Sequence, residues 1–173
     1  MKIDDEKKMV NEFLLTKNES HFRQLYRLYT LPLYRLALQL SGGSSSTAED
    51  IIQETWLRAV NQLHGFRWQS TLKTWLSGIA INCCREYNRK ENTSNTTIEE
   101  LENLICNVEQ KIENKIDIQR ALSVLPHGYR EILVLHDVEG YKHKEIGELL
   151  GISEGTSKSQ LFNARKAMKK LLM

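Results

Sequence analysis

The side chains best suited to chemistry in this 173-residue chain lie near its end: Thr156, Lys158, Ser159, Phe162, Asn163, Arg165 and Lys166. Their chemistry is recognition. Lysine and arginine neutralise phosphate, while hydroxyls, an asparagine amide and an aromatic ring can meet base edges in a DNA groove. Such work needs a helix held at a fixed angle, and the preceding residues supply the means. Ile146, Leu149 and Leu150 give a first helix one apolar face, Gly151 can take the left-handed conformation that closes it, and Ser153 can cap the amides opening a second. Ile152 plugs the corner. Along the second helix Leu161, Ala164, Met168, Leu171 and Leu172 recur at helical spacing, whereas Lys158, Arg165, Lys166, Lys169 and Lys170 follow Glu154 without another acid. A helix-turn-helix of this kind lays its second helix in the major groove, with Glu154, Thr156, Ser157, Lys158, Ser159, Phe162 and Asn163 toward the bases. Two helices with a solvated basic face also occur in ordinary bundles, so this stretch alone leaves both readings open.

No nucleophile elbow, phosphate-binding glycine loop, HExxH helix or calcium loop occurs, and the five histidines, at 21, 64, 127, 136 and 143, lack metal-ligand spacing. Neither an enzyme nor a cofactor- or metal-dependent protein is expected. Cys83 and Cys84 are adjacent and Cys106 lies in a polar segment, so the three fit reduced thiols better than a disulfide framework or a zinc site. The N-terminus lacks the apolar run of a signal peptide, and no later stretch is long enough to span a bilayer. A cytoplasmic location without membrane insertion is the expectation.

The net charge of +2 becomes informative when divided along the chain. Residues 1–90 hold 13 Lys and Arg against 9 Asp and Glu, residues 91–117 hold 2 against 7, and residues 118–173 hold 9 against 6. Two basic blocks flank an acidic connector that phosphate would repel, which suggests two nucleic-acid-facing modules.

The elements that position these residues all read as helices. Asp4 to Lys17 is amphipathic, with Met9, Val10, Phe13 and Leu14 on one side. After Ser20, a long helix carries Phe22, Leu25, Tyr26, Leu28, Tyr29, Leu33, Leu36, Ala37 and Leu40 on a broad apolar face, and Pro32 predicts a bend or a loosened turn. Gly42-Gly43 and the serines after it break the pattern, and Thr47 or Ser46 predicts the start of a third helix with Glu49 and Asp50 in its first turn. That helix, Ala48 to Leu63, should bury Ile51, Ile52, Trp56, Leu57 and Val60, and expose Asp50, Gln53, Glu54 and Arg58. The loop from His64 through Phe66, Arg67, Trp68, Gln69 and Ser70 puts two aromatics beside an arginine. That mixture suits unpaired bases, each aromatic stack being worth about 1–3 kcal/mol, and it equally suits a hydrophobic staple closing a bundle. Thr71 to Lys90 is a fourth helix with Leu72, Trp75, Leu76, Ile79, Ala80 and Cys83 inward, leaving Lys73, Asn82, Arg85, Glu86, Arg89 and Lys90 for another face. Ile98 to Asn114 carries sparse apolar residues among acids and reads as a linker with partial helicity. Asn114 or Asp117 opens a second module, in which Pro126 stops one helix and His127 to Val138, burying Tyr129, Ile132, Leu133 and Leu135, forms the next until Gly140 ends it. The fold class is all-α: two small helical domains, 1–91 and 114–173, joined by the linker 92–113.

With these residues assembled, the chain resembles the extracytoplasmic-function (ECF) sigma factors of the sigma-70 family. The C-terminal match runs through Leu125-Pro126, Tyr129-Arg-Glu-Ile, Val138-Glu-Gly-Tyr, Glu145-Ile, Leu150-Gly-Ile-Ser-Glu-Gly-Thr, Lys158-Ser159 and Ala164-Arg165. The N-terminal match is Leu25-Tyr26, Ala48-Glu-Asp-Ile-Ile-Gln-Glu-Thr-Trp and Thr74-Trp-Leu-Ser-Gly-Ile-Ala-Ile-Asn. The resemblance implies a promoter-specific initiation factor that binds core RNA polymerase through the β′ coiled-coil and the β subunit, and that is held in check by an anti-sigma factor. It makes Asp50, Gln53, Glu54 and Arg58 the polymerase-binding row. It makes Phe66, Arg67, Trp68, Gln69, Ser70, Lys73, Asn82 and Glu86 the face that melts and reads the −10 element, with Trp75 packing the domain. The −35 element falls to Thr156, Lys158, Ser159, Phe162 and Asn163, with Arg165 and Lys166 toward phosphate, and the linker would pass through the polymerase.

The sequence departs from the family pattern where Ser157 replaces the usual valine, Gln160 the usual arginine, and Lys142 the usual capping serine or threonine. The recognition helix is thus expected to lose one buried anchor and one phosphate contact. Two other readings compete. A dimeric helix-turn-helix regulator would need a sensing or dimerising N-terminal domain, whereas residues 1–90 show only helices; a helical adaptor would not bind DNA. A single basic helix has affinity only near the non-specific range of about 10⁻⁴ to 10⁻⁶ M, so a second module held in register by polymerase solves a real deficit.

Overall fold

A computed structural model describes residues 3–91 and 118–172, and every regular element among them is helical. The expected linker 92–113, the openings at Asn114 or Asp117, and Cys106 lie outside the described residues. Contacts divide the chain into two compact units, one of Met1–Leu38 with Ser45–Glu86 and one of Gln39–Ser44 with Tyr87–Met173. The helices are α1 (Ile3–Thr16), α2 (Glu19–Leu40), α3 (Ser45–Gln62), α4 (Leu72–Glu91), α5 (Ile118–Val124), α6 (His127–Leu133), α7 (His143–Leu150) and α8 (Glu154–Leu172).

In the first unit Val10, Leu25, Leu33, Leu36, Ile51, Ile52, Leu72, Leu76 and Ile81 are buried, each such side chain stabilising by about 1.5–3 kcal/mol. An aromatic cluster joins three helices: Phe13 meets Phe22 at 5.5 Å, and Trp56 lies edge-on to Phe22 at 5.5 Å. The polar tips of this layer are paired, with Trp56 Nε1 donating to Thr30 Oγ1 at 3.0 Å and Tyr29 Oη to Glu6 Oε1 at 2.6 Å. Burial, and then the Glu6 carboxylate, push the Tyr29 pKa up. Pro32 lies inside α2, which continues past it to Leu40. The buried neighbours Leu33 and Leu36 offset the lost backbone bond, which costs about 3 kcal/mol in a helix interior.

Three expectations for this unit need correction. Leu57 and Val60 are not buried: they are 64% and 38% exposed, and Thr55, whose hydroxyl donates to the Ile51 carbonyl at 2.6 Å, takes the inward place. On α2, Tyr26 and Leu28 are likewise exposed. In each case the apolar stripe is narrower than the run of apolar residues, because a helix in a four-helix cluster cannot bury its whole circumference. Helix α3 starts at Ser45 rather than near Thr47, so its first turn holds no acid.

The second unit is organised by its helix ends. Pro126 halts α5, and Arg130 from α6 reaches back to its orphan carbonyls, donating to Leu122 O at 2.7 Å and to Ser123 O and Leu125 O at 2.8 Å. Burial lowers this guanidinium's pKa, and the carbonyls satisfy its donors. The single helix expected from His127 to Val138 instead changes at Leu133 to a wider π turn over Val134–Val138. Tyr141 N closes the segment on Leu135 O at 2.9 Å, and Gly140 turns the chain at φ +76°. The wider π turn re-aims the side chains it carries, among them His136 and Asp137.

Candidate nucleic-acid interface

The helix-turn-helix is built as its punctuation predicts. Gly151 closes α7 in the left-handed conformation at φ +68°, and Thr156 N donates to Ser153 Oγ at 3.0 Å to cap α8. The close approach depends on Gly147 as well. A Cβ there would sit 2.7 Å from the Ile152 carbonyl oxygen, while Ile152 N donates to Gly147 O at 3.0 Å. Lys142 supplies only half a capping box. Glu145 Oε2 accepts from the Lys142 amide at 2.7 Å, but a lysine side chain has no acceptor to return the bond.

Leu161, Ala164, Ala167, Met168 and Leu171 are the buried face of α8. Lys158, Ser159, Phe162, Asn163, Arg165 and Lys166 are exposed, Phe162 to 71%, and Thr156 is half-buried at the cap. An aromatic ring so exposed on a helix carries an apolar surface that only a partner can cover. Two of the cations are engaged in the free chain. Lys158 pairs with Glu154 at 2.6 Å, which lowers the Glu154 pKa. Arg165 is bound side-on by Asp137 from the π turn, Nε to Oδ2 at 3.0 Å and Nη2 to Oδ1 at 2.5 Å.

Ser157 was expected to lose a buried anchor, and the structure modifies that expectation. Ser157 is 0% exposed, and its hydroxyl shares a 2.9 Å hydrogen bond with His143 Nδ1. The His143 ring stacks on His136 at 4.6 Å, and His136 Nδ1 lies 2.7 Å from Asp137 Oδ1. A polar chain thus stands where the family pattern has a methyl contact. Gln160 is half-buried.

In the first unit the loop after α3 forms a cleft of about 340 Å³ lined by Gly65, Phe66, Arg67, Gln69, Ser70 and Trp75. Phe66 stacks on Trp75 at 4.9 Å and contacts Trp68 at 4.7 Å, so the aromatics do close the end of the bundle, as the staple reading required. The same cleft leaves Arg67, Gln69 and Ser70 exposed around a half-buried ring. Trp68 adopts φ +58°, a left-handed conformation costing about 1–2 kcal/mol for a residue with a Cβ, and Lys7 Nζ sits 5.6 Å over its ring. Thr71 caps α4 through Thr74 N at 3.1 Å, which places exposed Lys73 in the first turn and exposed Asn82 further along.

Asp50 and Gln53 are exposed on α3, while Glu54 and Arg58 are half-buried and tied together, Nε to Oε1 at 2.6 Å. The two outer Arg58 nitrogens bind both oxygens of Glu86 on α4. Glu86 and then Glu54 raise the Arg58 pKa. Sequence reasoning missed Leu57 as a surface residue beside this row, and it missed Asp137 at the recognition helix. Leu57 matches both an inward and an outward helical phase; Asp137 is moved by a π turn that no residue pattern announces. Cys83 and Cys84 on α4 are buried and form no disulfide, and burial raises the pKa of Cys83, which lies beneath the row. No helix among the described residues is long and apolar enough to cross a membrane.

Comparison with known proteins gives this arrangement its context. Residues 25–93 match the model for sigma-70 region 2, and residues 115–168 match that for sigma-70 region 4. The ECF RNA polymerase sigma factor SigM of Mycobacterium tuberculosis is 32% identical over 87% of this chain and 76% of its own length. SigM of Bacillus subtilis is 33% identical over 86% of this chain and 93% of its own. Among solved structures, RpoE of Bartonella quintana, in complex with the anti-sigma factor NepR, superposes with a TM-score of 0.66 at 26% identity over 87% of this chain and 96% of that one. With two helical units, a helix-turn-helix in the second, and region 2 and region 4 matched in order, the chain belongs to the ECF sigma factors of the sigma-70 family of RNA polymerase sigma factors.

Proposed function

We propose that the two units divide the work of promoter recognition, residues 1–91 binding polymerase and opening the −10 element, residues 114–173 reading the −35 element, and residues 92–113 joining them. The observation that carries this reading is the exposed, basic, aromatic-bearing face of α8 on a capped helix-turn-helix, in the same chain as an aromatic cleft at the end of a separate bundle. Neither surface has the basic area for tight autonomous binding, and polymerase would hold both on one promoter.

On α3, Asp50, Gln53, Glu54 and Arg58, with exposed Leu57 among them, form the surface assigned to the polymerase β′ coiled-coil; the β subunit is the further polymerase contact. At the cleft, Phe66 and Trp68 offer stacking faces, Gln69 and Ser70 offer hydrogen bonds to an unstacked base, and Arg67 and Lys73 draw the backbone. Asn82 and Glu86 continue that face along α4. On α8, Phe162 offers a surface for a thymine methyl and Asn163 an amide for adenine, with Thr156, Lys158 and Ser159 beside them and Arg165 and Lys166 toward phosphate. An anti-sigma factor is the expected negative regulator, since the similar RpoE is crystallised with one.

Transcription reconstituted from the purified chain, core RNA polymerase and a promoter library tests the proposal. Start-site-specific transcripts with shared upstream and downstream blocks are the expected result. Tight autonomous DNA binding without such transcripts would support a helix-turn-helix regulator instead, and no DNA binding at all an adaptor.

A further inference from the structure

The grip of Asp137 on Arg165 is geometrically selective. Side-on pairing uses the Nε hydrogen and one Nη2 hydrogen, leaving three of the five guanidinium donors, including both on Nη1, directed away from the carboxylate. Arg165 is 55% exposed at its side chain and Asp137 30%, so the fork is presented outward while its base is held. Asp137 is itself braced. His136 Nδ1 lies 2.7 Å from Oδ1, His136 stacks on His143 at 4.6 Å, and His143 bonds the fully buried Ser157 at the start of the same helix. The chain of contacts leaves α8 at Ser157 and returns to it at Arg165, two turns on.

We infer that Asp137 is a positioning residue for DNA recognition: it orients the Arg165 fork toward a phosphate or a guanine edge, and the His136–His143–Ser157 chain sets its angle. The inference rests on the reading that α8 meets DNA. A carboxylate beside a nucleic-acid surface repels phosphate, so by charge alone it weakens binding; as an orienting group it strengthens binding by removing the freedom of a long side chain before contact. The two effects have opposite signs.

The test uses holoenzyme assembled from the full chain and core RNA polymerase, on a promoter fragment with a randomised upstream block. The fragment that the unaltered chain enriches most becomes the probe for binding measured against NaCl concentration. Asp137→Asn is expected to weaken binding by about tenfold and to make the salt slope shallower by about 0.9, the loss of one phosphate contact. In an Arg165→Ala background, Asp137→Asn should cause no further loss. Arg165→Lys, which keeps the charge and removes the fork, should bind as weakly as Arg165→Ala, and its exposed position keeps folding out of the comparison. Binding by Asp137→Asn equal to or tighter than that of the unaltered chain, or full binding by Arg165→Lys, would overturn the inference while leaving the DNA reading standing. Failure of the unaltered chain to enrich any upstream sequence would overturn that reading, and the inference with it.

Discussion

Arg58 binds Glu86 with two parallel bonds, Nη1 to Oε1 and Nη2 to Oε2, both 2.8 Å, while its Nε holds Glu54 on its own helix. The residue assigned to the polymerase is thereby fastened to one assigned to the −10 DNA. Both side chains are partly exposed, so the pair should contribute only about 0.5–1 kcal/mol to stability despite its geometry. Arg58→Gln and Glu86→Gln should each lower the urea-unfolding free energy by that amount, and the double variant by little more than either. Additive losses would show that the two side chains act independently.

Asp50→Ala combined with Glu54→Ala should weaken the affinity for core polymerase about tenfold and leave helicity unchanged, since Asp50 is exposed and Glu54 gives up one partly exposed ion pair. Titration of core enzyme by fluorescence anisotropy, alongside circular dichroism, checks this. Undiminished affinity would remove the row from its assigned role.

Two glycines make the corner of the helix-turn-helix, for different reasons. Gly151→Ala should cost about 1–2 kcal/mol because its φ of +68° crowds a Cβ against its own carbonyl. Gly147→Ala should cost about 1–3 kcal/mol because its new methyl would overlap the backbone oxygen of Ile152, 2.7 Å away, rather than a side chain that could rotate. Both losses should appear in the urea midpoint of the second unit. A neutral Gly147→Ala would mean that the α7–α8 corner opens freely.

The histidine stack should make the second unit sensitive to acid. Burial lowers the His143 pKa first, His136, Lys158 and Arg165 lower it further, and Glu154 opposes them. Below a pH of about 6.5 the unfolded chain takes up a proton that the folded chain resists, so stability is full above that pH and is lost as the pH falls through the folded value. Urea midpoints between pH 8 and 5 should therefore decline, and His143→Gln should flatten the decline. Asp137 shifts in the same direction: its bonds to Arg165 and His136 hold its carboxyl below the usual carboxylate range, so that pair's stability is lost on acidification too, but only at a more acidic pH.

The residues alone determined several helix ends and the family. Gly151, Ser153 and Pro126 act through their own backbone geometry or a partner a few residues away, so the corner, the cap of α8 and the end of α5 were legible as local chemistry. The apolar stripe of α8 was equally legible, because helical periodicity needs no knowledge of the neighbour. The tertiary structure alone decided which of several apolar residues faced inward, exposing Leu57 and Val60 and burying Thr55, since that choice depends on where adjacent helices lie. It decided the pairing of charges as well. Arg58 with Glu86 and Arg165 with Asp137 are each 28 residues apart, and their meeting follows from helix packing in one case and a π turn in the other. Lys158 and Arg165, exposed cations that looked free for phosphate, are each held by a carboxylate, because a long charged side chain on a folded surface takes the best-placed opposite charge that the packing brings within reach.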